Sequence, residues 1–240
     1  MDWLRRRGRT GGNTPSVSVD PSLRRTAFVP SVAPGPFGEG SGFGGRPYLA
    51  HGMSHPTCPQ CDRPMPLIAQ IDLAAQPAPV IRGDGLLQLF YCTREVDDNG
   101  CDVMLEAWEP FSEGHVTRLV SAGPGGSVPE ADTPFEPVRI TAWTAADDYP
   151  NWQELEELGV GSLAHGDDHP TLEGEKLGGW PAWVQGVEYP SCPRCGARME
   201  LVLQVDSRKT IDTMWGDVGI GHVTQCPNDP DVLTFAWACS

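Results

Sequence analysis

Cys192-Pro193-Arg194-Cys195-Gly196 places two thiols three positions apart, close enough to grip one metal ion. The chain contains this arrangement twice. Residues 44–73 and 178–207 align at a constant offset of 134, with twelve of thirty positions identical. These include Gly44/Gly178, Gly45/Gly179, Cys58/Cys192, Cys61/Cys195, Met65/Met199, Gln70/Gln204 and Asp72/Asp206. Cys92 and Cys226 keep the same offset. We read this as one unit duplicated without a gap over its first half, a constraint that overrides most local readings.

The eight cysteines divide with the repeat into Cys58, Cys61, Cys92, Cys101 and Cys192, Cys195, Cys226, Cys239. In each set the third cysteine lies 31 positions after the second. Four thiolates in a tetrahedron suit Zn²⁺ and leave no position for a substrate, so two structural zinc sites are expected. The last gap differs, 9 residues in the first set and 13 in the second, which makes His222 a fallback fourth ligand to Cys239. Free buried thiols or a redox Cys-x-x-Cys pair are the alternatives.

Along the chain, residues 1–42 are rich in Gly, Pro, Ser and Arg without periodicity. They are expected to be a disordered tail, with Thr26–Val29 at most a short edge strand. Residues 43–145 form repeat one. In it, Met65, Leu67, Ala69 and Ile71 alternate with polar or less apolar neighbours as one strand, and Leu86–Tyr91 read as another. Val103–Trp108, Val116–Val120 and Arg139–Trp143 read as further strands. Residues 146–176 hold a helix over 148–159, opened by Asp148 and Pro150 and closed by Gly159, and then a connector. Residues 177–240 form repeat two, with strands over 199–205, before Cys226, and over 233–237. The expected fold is mainly β with few short helices, as two pseudo-equivalent units that each carry a zinc knuckle.

The net charge is −15. Residues 1–25 carry six arginines and two aspartates, +4 in themselves, so the remaining 215 residues carry −19. An acidic body repels nucleic-acid phosphates and attracts basic partners, so a basic protein partner is expected and nucleic acid is not. No apolar run approaches the roughly 20 residues that cross a membrane, and no apolar segment follows the N-terminal arginines as a secretory signal would require. A cytoplasmic location follows, where cysteines serve as metal ligands more often than as disulfides.

Other motifs carry less. His165-Gly166-Asp167-Asp168-His169 invites a metal or acid–base reading but sits in a polar connector, where a solvated loop is favoured. Gln70, Gln204, Asp72 and Asp206 share a polar strand face that could line a groove or cap the following turn. The Gly216–Gly221 run lacks the lysine of a phosphate loop. No Gly-x-Ser-x-Gly elbow or nucleophile–base set stands out, so no catalytic residue is expected.

The run Leu177-Gly178-Gly179-Trp180-Pro181, then Cys192-Pro193-x-Cys195-Gly196 and Leu203-Gln204-Val205-Asp206, resembles the YwqG-like family of bacterial proteins of unknown function. Phe43-Gly44-Gly45, Cys58-Pro59-x-Cys61, Ala69-Gln70-Ile71-Asp72, Leu89–Cys92 and Asp148-Tyr149-Pro150 extend the resemblance over residues 26–240. More distantly it is similar to the eukaryotic programmed cell death protein 2 family. The resemblance implies a duplicated, mostly β architecture. For the eukaryotic relatives it implies a chaperone that shields a basic ribosomal protein; for bacterial members, toxin immunity. The expectation is therefore a zinc-stabilised protein-binding module, with an enzyme site between the repeats, at Asp72, Asp206, His165 or His169, as the alternative.

Overall fold

The computed structural model describes residues 20–93, 101, 106–123, 125–129, 133–160, 171–207 and 209–240. Ten strands follow in order: β1 (Arg25–Pro34), β2 (Gly42–Phe43), β3 (Leu67–Asp72), β4 (Leu86–Tyr91), β5 (His115–Val120), β6 (Val138–Asp148), β7 (Lys176–Gly178), β8 (Glu200–Asp206), β9 (Ile220–Gln225) and β10 (Leu233–Ala238). A single α-helix among the described residues, α1 (Trp152–Glu157), follows β6. All strands join one sheet in the order β10-β9-β8-β7-β1-β6-β2-β3-β4-β5. The mainly β class expected from the sequence is what forms. Among the described residues no helix is long and apolar enough to cross a membrane.

The 134 offset recurs in the hydrogen-bond ladder. In the first half Leu67 faces Phe90 and Asp72 faces Leu86, with a bulge between Leu67 and Ala69. In the second Leu201 faces Thr224 and Asp206 faces Ile220, with a bulge between Leu201 and Leu203. Each of these positions differs from its counterpart by 134. The paired glycines explain one recurrence: Gly44 and Gly45 have φ of 64° and 65°, and Gly178 and Gly179 have 65° and 74°. A Cβ at Gly44 would sit 2.9 Å from the Glu136 carbonyl oxygen, and one at Gly45 2.6 Å from Pro137 Cβ. No side chain fits that turn without strain.

Two stretches differ from expectation. The stretch 1–42 is not tail throughout, because β1 is a ten-residue central strand paired to β6 over its whole length and to β7 at Ala27 and Phe28. It joins the two halves: β1 pairs with β7 of the second half, and β6 with β2 of the first. Each half therefore completes its sheet with the other. Of the strand expected at 103–108, the first three positions lie outside the described residues and the last three form a turn.

The sheet curls until its outer strands meet. Trp237 N donates to the Trp108 carbonyl at 3.2 Å, and Phe111 N to Thr234 Oγ1 at 2.6 Å. The inner face packs Leu87, Leu89, Tyr91, Leu203, Val223 and Phe235 around Trp215. Burying each such side chain contributes about 1.5–3 kcal/mol, so this shared core is what makes the halves one body.

Asp148 does not open the helix. It ends β6, fully buried, with Oδ2 2.8 Å from Lys176 Nζ and accepting from Trp180 N at 2.8 Å. Its Oδ1 accepts from Leu172 N at 2.9 Å. The helix is capped instead by Asn151, whose side chain accepts from Glu154 N at 3.2 Å.

Candidate metal centres

After each glycine pair the chain leaves the sheet and returns across its outer face as an arm ending in the knuckle. Cys58 N donates to the Arg63 carbonyl and Asp62 N to the Cys58 carbonyl, both at 2.9 Å. Cys192 N to Ala197 O and Gly196 N to Cys192 O repeat this at 2.8 Å. The turn needs a left-handed residue: Gly196 supplies it with φ of 73°, and Asp62 with 54°, a conformation aspartate tolerates better than most. Met65, Leu67 and Phe90 pack under the first knuckle, and Met199 and Val232 under the second.

Cys92 and Cys226 follow the last residues of β4 and β9, which brings them to the same end as the knuckles. The sulfurs of Cys58, Cys61, Cys92 and Cys101 all lie within 4.8 Å of one another. Cys58 and Cys101 are 3.4 Å apart and Cys61 and Cys92 4.0 Å. Four sulfurs about 2.3 Å from a tetrahedral zinc lie about 3.8 Å apart, so the group fits that ion. Cys58, Cys92 and Cys101 are buried. Burial opposes the Cys58 thiolate, yet backbone N–H groups of Cys61 and Gln60 outweigh it and lower the pKa. No cysteine is in a disulfide.

The second group holds three sulfurs, Cys192, Cys195 and Cys226. Cys195 and Cys226 are 3.5 Å apart. Cys195 is exposed, and its pKa is lowered to about 7, first by the Ala197 N–H and then by Asn228. Burial pushes the Cys226 thiol up. Arg82, from the first half, clasps this site: its guanidinium donates to the Cys226 carbonyl at 2.8 Å and the Pro227 carbonyl at 2.9 Å.

Cys239 does not join them. Cys226 follows Gln225, which pairs with Leu233, whereas Cys239 follows Ala238, which pairs with Ile220 at the far end of the hairpin. The separation is about 20 Å along the strands. Cys239 instead lies against Gly216, with its carbonyl accepting from Gln185.

His222, the fallback ligand, points elsewhere. It faces Gln204 across the ladder and packs its ring edge-on to Trp183 at 5.0 Å. Its counterpart is Gln88. Burial pushes the His222 pKa down to about 3, and the Lys176 ammonium adds to the effect. An unfolded histidine titrates near 6.5, so between about pH 6.5 and 3 the unfolded chain takes a proton that the native state refuses. Stability is then full above that range and falls with pH by about 1.4 kcal/mol per unit. Urea unfolding of His222→Gln should lack about 2 kcal/mol of the loss that the parent shows between pH 7 and pH 5. Equal losses in both proteins would refute it.

Gln70 and Gln204 line no groove. Gln70 is buried, accepts from Tyr48 N at 3.0 Å and Gln88 Nε2 at 2.9 Å, and donates to the carbonyls of Gly38 and Gly40 at 2.9 Å. Gln204 accepts from Ala182 N and donates to Leu172 and Gly174 in the same way. Each glutamine staples its arm to the sheet, a role that the unusual burial of a polar strand face requires. Asp72 caps the next turn through Ala74 N at 3.0 Å, and Asp206 accepts from Gly174 N at 2.9 Å. Burial raises the Asp206 pKa. His165 and His169 lie outside the described residues.

A curled antiparallel sheet with a cysteine cluster on the outer face of each half defines a β protein with two candidate metal centres. The chain belongs to the family described as domain of unknown function DUF1963, which it matches over residues 41–238. No curated protein matches it significantly.

Proposed function

We propose that this protein is a zinc-stabilised protein-binding module for a basic partner, chaperone-like or acting in toxin immunity. The observation that carries the reading is the first cysteine group. All four donors come from the chain and three are buried, so a bound zinc would pin the arm to the sheet and leave no position for substrate. The net charge of −15 supports a basic partner. A cleft of about 500 Å³ between Phe37, Arg46, Val128, Phe135 and Glu136 offers a concave surface for a partner's side chain. The resemblance to the YwqG-like and programmed cell death protein 2 families supports the same role and an origin by duplication.

The test is affinity purification from the native cell, followed by binding kinetics across a salt series for the protein recovered. The Debye length shrinks from about 10 Å at 0.1 M salt to about 3 Å at 1 M. Association should slow steeply over that range while dissociation changes less, because dissociation depends on contacts made after docking. An association rate independent of salt would overturn the electrostatic part of the reading.

A further inference from the structure

We infer that the second cysteine group holds zinc through three thiolates, Cys192, Cys195 and Cys226, and keeps its fourth position for an exchangeable thiolate from outside the chain. The inference rests on the zinc reading above. It starts from a difference between the two halves. In the first, the fourth thiolate, Cys101, comes from the long connection between β4 and β5, which runs from Cys92 to Gly114. In the second, the matching connection between β9 and β10 is a tight turn, residues 226–232. Cys226 N donates to Val232 O at 2.9 Å and Val232 N to Asp229 O at 3.1 Å. That turn contains no second cysteine.

The nearby donors are committed elsewhere. Asp229 holds Arg194 at 2.7 Å through Oδ2 and Asp231 N at 3.2 Å through Oδ1. His222 packs on Trp183, and Cys239 is at the far end of the hairpin. Among the described residues, no fourth cysteine, histidine, aspartate or glutamate donor lies within 4.8 Å of the three sulfurs.

The three sulfurs are nonetheless held in place. Asn228 N donates to Cys226 Sγ at 3.4 Å and Asn228 Nδ2 to Cys195 Sγ at 3.6 Å. Arg82 fixes the backbone behind Cys226. Hydrogen bonds to ligating atoms of this kind orient a metal site and tune it. Cys195 is exposed, so the side of the site that it borders faces solvent.

Zinc is four-coordinate, and a site with three protein ligands takes water as the fourth. An incoming thiol would lose its proton to solvent and displace that water, forming one Zn–S bond and breaking one Zn–O bond. Soft thiolate is the class of donor that such a sulfur-rich site selects. A small thiol and a cysteine on a partner protein share this chemistry.

The experiment uses the full chain loaded with Co²⁺ in place of zinc and follows the sulfur-to-cobalt charge-transfer band during titration with N-acetylcysteine. The band should grow by the contribution of one thiolate and saturate at one thiol per chain. Cys195→Ser should abolish the growth, and Cys239→Ser should leave both metal content and response unchanged. A synthetic Arg/Lys-rich peptide with a single cysteine distinguishes the sources. Tighter binding than N-acetylcysteine assigns the position to a partner, and equal binding assigns it to small thiols. Two bound metals with no response to thiol would overturn the inference while sparing the zinc reading. A metal count that never exceeds one would overturn both for this site. A spectrum altered by His165→Ala or His169→Ala would give the fourth position to the chain itself and overturn it as well.

Discussion

Serine in place of Cys58 or Cys92 should lower the melting temperature by about 6–20 °C and cut the bound zinc from two ions to one. Structural zinc contributes about 10–16 kcal/mol of apparent binding free energy in small peptides, against about 5–15 kcal/mol for the stability of a whole domain. Loss of even about 3–5 kcal/mol in a chain of this length shifts the midpoint by about 2–4 °C per kcal/mol. The damage should be local first. Met65, Leu67 and Phe90 lose their cover when the arm lifts, and the hydrogen bond from Tyr48 N to Gln70 breaks with it. A strong chelator should reproduce the effect on the parent protein and add little to the variant. An unchanged melting temperature in the variant would mean that the arm is held by its packing and glutamine staple alone.

Lys176→Met should cost about 3–5 kcal/mol, because it leaves the Asp148 carboxylate buried without its cation. Both side chains are fully buried, so water cannot stand in for the missing partner. The pair lies where β6, β7 and the arm of the second half meet, and Asp148 also receives the N–H groups of Leu172 and Trp180. The loss should therefore appear as lower global stability in a urea titration. Lys176→Met combined with Asp148→Asn should recover part of it, since the amide removes the charge and its oxygen keeps an acceptor for one of those two N–H groups. A single variant within about 1 kcal/mol of the parent would show that the ion pair adds little.

Much of the frame is visible in the sequence. The 134 offset places β3 and β4 over β8 and β9, and the cysteine spacing identifies all seven clustered sulfurs. The misreadings share one physical cause: each depends on a partner distant along the chain. β1 contains Pro30 and Pro34, which argue against a strand. It tolerates Pro30 because its pairing to β7 covers Ala27 and Phe28 and does not extend to that residue. Asp148 precedes Pro150 as a helix-opening acid would, and Lys176, 28 residues on, gives no local sign of the ion pair. Gln70 and Gln204 read as a polar strand face that could line a groove or cap a turn, because the arm that buries them lies apart from their strand. Cys239 has plausible spacing from Cys226, but spacing cannot say at which end of a hairpin a residue stands; the register of β9 and β10 does.

The central claim is that the cysteine groups hold structural zinc. Native mass spectrometry of the protein purified from its own cell, with thiol alkylation of the folded state, tests it most directly. Two zinc ions per chain are predicted, with Cys239 alkylated and the seven clustered cysteines protected until a chelator is added. A metal-free mass, with the exposed Cys195 alkylated as readily before chelation as after it, would contradict the claim.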